Sequence, residues 1–219
     1  MKKIIVLLSI VVLFMTGCSV SRLDNENIGK NIKTLLSKDN SLYNVFYDGY
    51  KYYLPKGTGF VSRDDYNAVI KDSNGNRYYL YVDAIGYYKK VKNTYHENTK
   101  SHYSRKLNYN NKNGYIQIDE KGSNFLIQFV YNYAKIEALV PKDDLTETVN
   151  YMCYILRSIK FNRKVIESMI GENTLDYKEQ NYSLFNNGSS NENFLGVVEK
   201  YETDDYKKDL EDEKIDLNN

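Results

Sequence analysis

The chain has 219 residues, with 30 Lys and Arg against 29 Asp and Glu, so its formal charge is +1. That balance argues against bulk electrostatic binding to nucleic acid. Two cysteines exclude a disulfide-dense scaffold, and two prolines exclude a Pro-rich fibre. Tyr (23) and Asn (26) are abundant, Trp is absent, and Lys outnumbers Arg fourfold. Two explanations of the excess stand side by side. A/T-rich codons produce it without selection, and a tyrosine-lined recognition surface would use it, because Tyr offers a rigid amphipathic contact.

The first elements in the chain are those of an export signal. Met1-Lys2-Lys3 is a positive start, and Ile4 to Met15 is an apolar run broken only by Ser9. As a helix this run reaches roughly 18 Å, well short of the ~30 Å bilayer core. It therefore reads as a cleaved signal and not as a permanent span. Met15-Thr16-Gly17-Cys18 resembles the lipobox of bacterial lipoproteins. The resemblance implies cleavage between Gly17 and Cys18, with diacylglyceryl transfer to the Cys18 sulfur and further acylation such as palmitate. Two or three acyl chains hold a protein firmly where one holds only marginally. The expected location is the outer face of the cytoplasmic membrane.

Residues 18–27 are polar and read as a tether. Ile28, Ile32, Leu35 and Leu36 recur at helical spacing, which predicts a short amphipathic helix over 26–38. Strand pairs then follow in series. Val45 to Tyr47 and Tyr50 to Leu54 flank Asp48-Gly49, and Asn67 to Lys71 and Arg77 to Asp83 flank Asn74-Gly75. Tyr103 to Tyr109 and Tyr115 to Asp119 flank an Asn-rich turn ending at Gly114, and Asn124 to Tyr131 and Lys135 to Val140 follow Lys121-Gly122. Phe125, Ile127, Phe129 and Tyr131 fall on one strand face and Gln128 on the other. Pro141 and a capping Asp143 or Asp144 then open a helix over 144–157. A short strand at 158–161 and a helical piece at 164–171 complete the predicted fold. The expected class is α+β, mainly antiparallel sheet with flanking helices, filling 28–173. From 174 to 219 the chain is polar, with nine acids against four lysines between Glu199 and Asp216. That composition predicts a disordered acidic tail offsetting a basic body.

Tyr52-Tyr53-Leu54-Pro55, Tyr78-Tyr79-Leu80-Tyr81-Val82-Asp83 and Ile155-Leu156-Arg157-Ser158-Ile159-Lys160-Phe161 carry a further resemblance. Over roughly 40–165 the chain is similar to uncharacterised lipoproteins of low-GC Gram-positive bacteria. Its order of elements resembles the PsbP-like fold, an antiparallel sheet flanked by helices. Neither resemblance supplies catalytic residues, and fold alone does not imply function.

No nucleophile–base signature, phosphate loop or zinc motif is present in the sequence. His96 and His102 lie six apart, a spacing that matches neither a helix face nor a common zinc pattern, and read as parts of a polar loop. Asp72-x-Asn74-x-Asn76 with Asp83 has a superficial calcium-loop look, but its glycine falls at the fourth position and a hairpin fits better. Asp64-Asp65 and Asp143-Asp144 are adjacent acids that turns and caps would use, or that an acid/base pair would use. Cys153 lies on an apolar helix stripe and reads as an inert core residue. Lys89, Lys90, Lys92, Lys100, Arg105 and Lys106 form the main basic concentration, near Tyr87, Tyr88, Tyr95 and Tyr103. They are candidate contacts to anionic lipid or wall polymer, set against the plainer reading of a solvated loop and edge strand. The expectation is a non-catalytic, membrane-anchored binding module. It would be held in membrane lipid by Cys18 and would meet an envelope protein or polymer, with no metal, cofactor or nucleic acid. The alternative is an envelope hydrolase working through acid pairs.

Overall fold

The computed structural model describes residues 25–39, 42–92 and 94–171. The signal segment with Gly17 and Cys18, most of the tether and the 174–219 tail lie outside the described residues. The chain divides into two units between Asn162 and Arg163.

In the first unit, helix α1 (Asn25–Leu36) is followed by strands β1 (Val45–Tyr47) and β2 (Tyr50–Tyr52). Strands β3 (Thr58–Arg63), β4 (Asn67–Asp72) and β5 (Arg77–Val82) come next, then a short helix α2 (Ala84–Lys89). Four long strands follow: β6 (Tyr103–Tyr109), β7 (Lys112–Lys121), β8 (Asn124–Tyr131) and β9 (Ala134–Pro141). A 3₁₀ turn (Lys142–Asp144), helix α3 (Leu145–Ser158) and strand β10 (Lys160–Phe161) close the unit. The second unit contributes helix α4 (Arg163–Gly171), with Val165, Ile166, Met169 and Ile170 at helical spacing.

Seven strands pair in the order β3-β4-β5-β9-β8-β7-β6, all antiparallel. The chain leaves β5 through α2, starts again at the far edge with β6, and returns by hairpins until β9 meets β5. The core face follows from strand alternation. Ile70, Tyr78, Leu80, Ile136, Ala138, Ile127, Phe129, Ile116 and Ile118 are all buried. Helix α3 packs over β8, β9 and β2, and α1 packs on α3. Ile28, Ile32 and Leu36, four residues apart, form the buried stripe of α1, and Val149, Met152, Cys153 and Leu156 form that of α3. Each fully buried Ile or Leu contributes about 1.5–3 kcal/mol. A second sheet, β1-β2-β10, joins the two ends of the unit. Tyr53 donates its backbone N–H to Ser158 Oγ at 2.9 Å, and Asn162 donates to the Gly49 carbonyl at 2.6 Å.

Several expected boundaries shift for physical reasons. The β6–β7 turn is not the stretch ending at Gly114 but Asn110-Asn111, both left-handed with φ of 50° and 58°, as a two-residue hairpin of this type requires. Gly114 lies inside β7, where an added Cβ would collide with the Val130 carbonyl. Two elements had no sequence signal. Strand β3 is an exposed edge carrying a bulge between Phe60 and Ser62, so its side chains show no burial pattern. Helix α2 is only six residues long, started by Asp83 Oδ1 accepting from Gly86 N–H at 2.6 Å and ended by left-handed Lys90. Asp144 does not cap α3 through its side chain. Its carboxylate instead accepts from Asn74 Nδ2 at 3.1 Å and Asn76 Nδ2 at 2.9 Å.

Candidate functional site

The structure spreads the basic concentration over several elements. Lys89 and Lys90 end α2, Lys92 lies in the following loop and Lys100 in the turn before β6. Arg105 and Lys106 are successive on β6, so alternation sends them to opposite faces. Strand β6 is a sheet edge, where exposed charges discourage pairing with another chain. Glu97 Oε1 accepts the backbone N–H of Lys106 at 2.9 Å and so covers part of that edge. Tyr95 stacks on Tyr115 with ring centres 3.9 Å apart, and its hydroxyl meets Ser104 Oγ and Gln117 Oε1. Tyr95 thus ties the loop to the sheet.

The two acid pairs lie at opposite ends of β4, roughly 17 Å apart by strand rise. Asp64 Oδ1 accepts from the N–H groups of Tyr66 and Asn67 and shapes the β3–β4 turn. Asp65 is exposed, and its carbonyl accepts from Tyr50 Oη. Asp143 is exposed in the 3₁₀ turn, while Asp144 joins the β4–β5 hairpin. There Asp72, 7 % exposed, accepts from the N–H groups of Asn74 and Asn76, from Asn76 Nδ2 at 3.1 Å and from Tyr78 Oη at 2.6 Å. Amide and hydroxyl donors therefore fill the places a cation would take in a calcium loop. Among the described residues no three His, Cys, Asp or Glu side chains form a metal-binding group. His102 Nδ1 lies 3.1 Å from Glu120 Oε1 with its ring edge-on to Phe125, and His96 is exposed. Cys153 is fully buried, and burial pushes its thiol pKa up, away from reactivity.

A cleft of about 440 Å³ opens where the C-terminal ends of α1 and α3 meet β10 and the β6–β7 turn. Its wall brings together parts of the chain far apart in sequence. Leu36, Lys38 and Asp39 come from the end of α1, Tyr43 precedes β1, and Tyr87 comes from α2. Asn110 and Lys112 come from the β6–β7 turn, Tyr131 and Asn132 from the β8–β9 turn, and Arg157 through Phe161 from the end of α3 and β10.

The polar groups are fixed by what helix ends leave over. The last carbonyls of a helix lack intrahelical partners and carry partial negative charge. Arg157 Nη1 donates to the Leu35 carbonyl at 2.8 Å, Asn110 Nδ2 to the Leu36 carbonyl at 3.2 Å, and Lys112 Nζ to the Arg157 carbonyl at 3.0 Å. Asn132 Nδ2 donates to the Ile159 carbonyl at 2.8 Å. An aromatic part completes the wall, with Phe161 stacked on Tyr87 at 4.2 Å and Tyr43 under the Lys51 ammonium at 4.2 Å. Lys51 and Lys160 are direct cross-strand partners in the β2–β10 ladder. The Lys112 pKa is lowered, mainly by burial; Asp39 pulls it back up and Lys160 pushes it further down.

Sequence reasoning missed this cleft because its cations are scattered singly. Lys112 sits inside the Asn-rich turn, and Lys51 and Lys160 become neighbours only when β10 returns to β2. A usable signal was the pair of lysines, Lys51 and Lys160, on two short strands near the ends of the folding unit. No helix among the described residues is long and apolar enough to cross a membrane. No protein-family model matches the chain, and no curated protein matches it.

Proposed function

We propose that the protein is a lipid-anchored bacterial lipoprotein, similar to the uncharacterised lipoproteins of low-GC Gram-positive bacteria, whose body is a non-catalytic binding module. In this reading residues 1–17 are a cleaved signal, Cys18 carries the diacylglyceryl anchor, and the stretch from 174 is a polar, acidic tail. The body stands on the outer face of the cytoplasmic membrane and uses its cleft to hold an envelope ligand. The observation that carries the binding role is the cleft itself. It is large enough for a small molecule or a polymer segment, and its polar groups are held in place by helix ends and by β10. Its lining is cationic and aromatic, a set suited to binding and orienting a ligand.

The anchor is tested by Cys18→Ala. The substituted protein should remain an uncleaved precursor and take up no labelled fatty acid, while wild type is processed and labelled. Processing and acylation of the variant like wild type would contradict the anchor.

A further inference from the structure

We infer that the cleft is an anion site whose ligand carries a phosphate group, supplied by a soluble or wall-held molecule and not by a head group of the anchoring membrane. The inference rests on the binding-module reading and adds the chemistry of the ligand.

Charge accounting leads to the anion. Lys38, Lys112, Arg157 and Lys160 line the cleft, Lys51 reaches its rim over Tyr43, and Asp39 is the one acid among the lining residues. The C-terminal ends of α1 and α3 add about half a negative charge each. Helix-end neutralisation thus accounts for about one of the five cations and Asp39 for another. An excess of about three positive charges remains.

Folding alone would not place that excess here. Lys51 and Lys160 face each other directly across the ladder, and like charges so placed are destabilising. Strand β10 is only two residues long, so a Glu at 160 would have replaced a repulsion with an attraction at no cost to the core. Lys112 is half-buried between Asp39 and Lys160, with one of its three donors given to the Arg157 carbonyl. A bound anion relieves all of these at once. An excess near three suits a phosphate, with its two charges and several acceptor oxygens, better than a single carboxylate. The stacked Phe161 and Tyr87 and the Tyr43 ring offer a face for the carbon skeleton attached to it.

The position of the cleft selects the source. On the proposed anchor, Cys18 precedes the N-terminus of α1 in sequence, and the cleft lies at the C-terminus of that helix, roughly 18 Å along its axis.

The test uses the mature acylated protein reconstituted in vesicles of phosphatidylcholine or of phosphatidylglycerol. Each preparation is titrated by calorimetry with inorganic phosphate, glycerol 3-phosphate and glycerol. The expected result is binding of both phosphates and not of glycerol, with affinities within about threefold in the two lipids. Lys160→Glu and, separately, Lys38→Glu should each weaken phosphate binding at least tenfold. Failure of both phosphates to bind, or unchanged binding by both variants, overturns the inference. Loss of phosphate binding only in phosphatidylglycerol overturns it in favour of a head group. Binding of glycerol alone overturns the phosphate assignment but leaves the binding module standing. Failure of the anchor is seen separately, in the processing of Cys18→Ala.

Discussion

Two regions of the first unit treat charge in opposite ways. Around the β4–β5 hairpin, Asp72 and Asp144 share the Asn76 amide, and Asp72 takes four hydrogen bonds in all. The two carboxylates accept from amide and hydroxyl donors on both sides, so the cluster ties the hairpin to the start of α3. Around the cleft cations outnumber acids, and Lys51 and Lys160 sit in register as a like-charge cross-strand pair. Satisfied polar groups in a buried cluster mark structure. An unrelieved surplus of one sign, held on rigid elements beside a cavity, marks a place where something else completes the arrangement.

The largest expected effect strikes both regions together. Burial raises the pKa of Tyr78 at the hairpin and of Tyr131 at the cleft wall, and likewise of Tyr50 and Tyr52, above the usual value near 10. These four hydroxyls stay protonated in the folded state while the unfolded chain ionises above pH 10. Stability is therefore fully present below pH 10 and is lost as pH rises beyond it, by about 5 kcal/mol per pH unit for four groups. Absorbance at 295 nm and circular dichroism followed together should show these tyrosines ionising in a single step with unfolding. Ionisation of all tyrosines near pH 10 without loss of structure would show that they are not buried as described.

The next effect separates the regions. Asp72→Ala takes the carboxylate from Tyr78 Oη and from the backbone N–H groups of Asn74 and Asn76, and leaves Asn76 Nδ2 with Asp144 alone. It should cost about 3 kcal/mol in urea unfolding and leave phosphate binding unchanged. A cost below 1 kcal/mol would mean that the hairpin cluster does not hold the fold. The smallest effect has the opposite sign. Lys160→Glu converts a like-charge cross-strand pair into an opposite-charge one and should stabilise the protein by about 0.5 kcal/mol, while weakening phosphate binding at least tenfold. A substitution that gains stability and loses function is expected where a site retains unfavourable contacts.

Local patterns made much of the fold legible and little of the site. Asp48-Gly49 and Lys121-Gly122 announced their hairpins because two-residue turns demand residues that tolerate positive φ, and Gly49 and Gly122 have φ of 92° and 63°. The alternation of Phe125 through Tyr131 and the stripe of Cys153 and Leu156 identified the core because burial imposes a period on the chain. Strand β3 escaped because an exposed edge imposes none. The Asp143-Asp144 pair was readable as a cap, yet its partners, Asn74 and Asn76, lie about 70 residues away. The cleft escaped for the same reason on a larger scale. It exists only where segments from Leu36 to Phe161 converge, and convergence is a property of the pairing of β10 with β2 and not of any window of sequence.

The most direct test of the anion cleft is the unfolding free energy of wild type and Lys160→Glu, each measured with and without inorganic phosphate at constant ionic strength. At ten times its dissociation constant, phosphate should stabilise wild type by about 1.4 kcal/mol. The variant should start slightly more stable and gain no more than about 0.4 kcal/mol. Equal stabilisation of both proteins, or of neither, would contradict an anion site in the cleft.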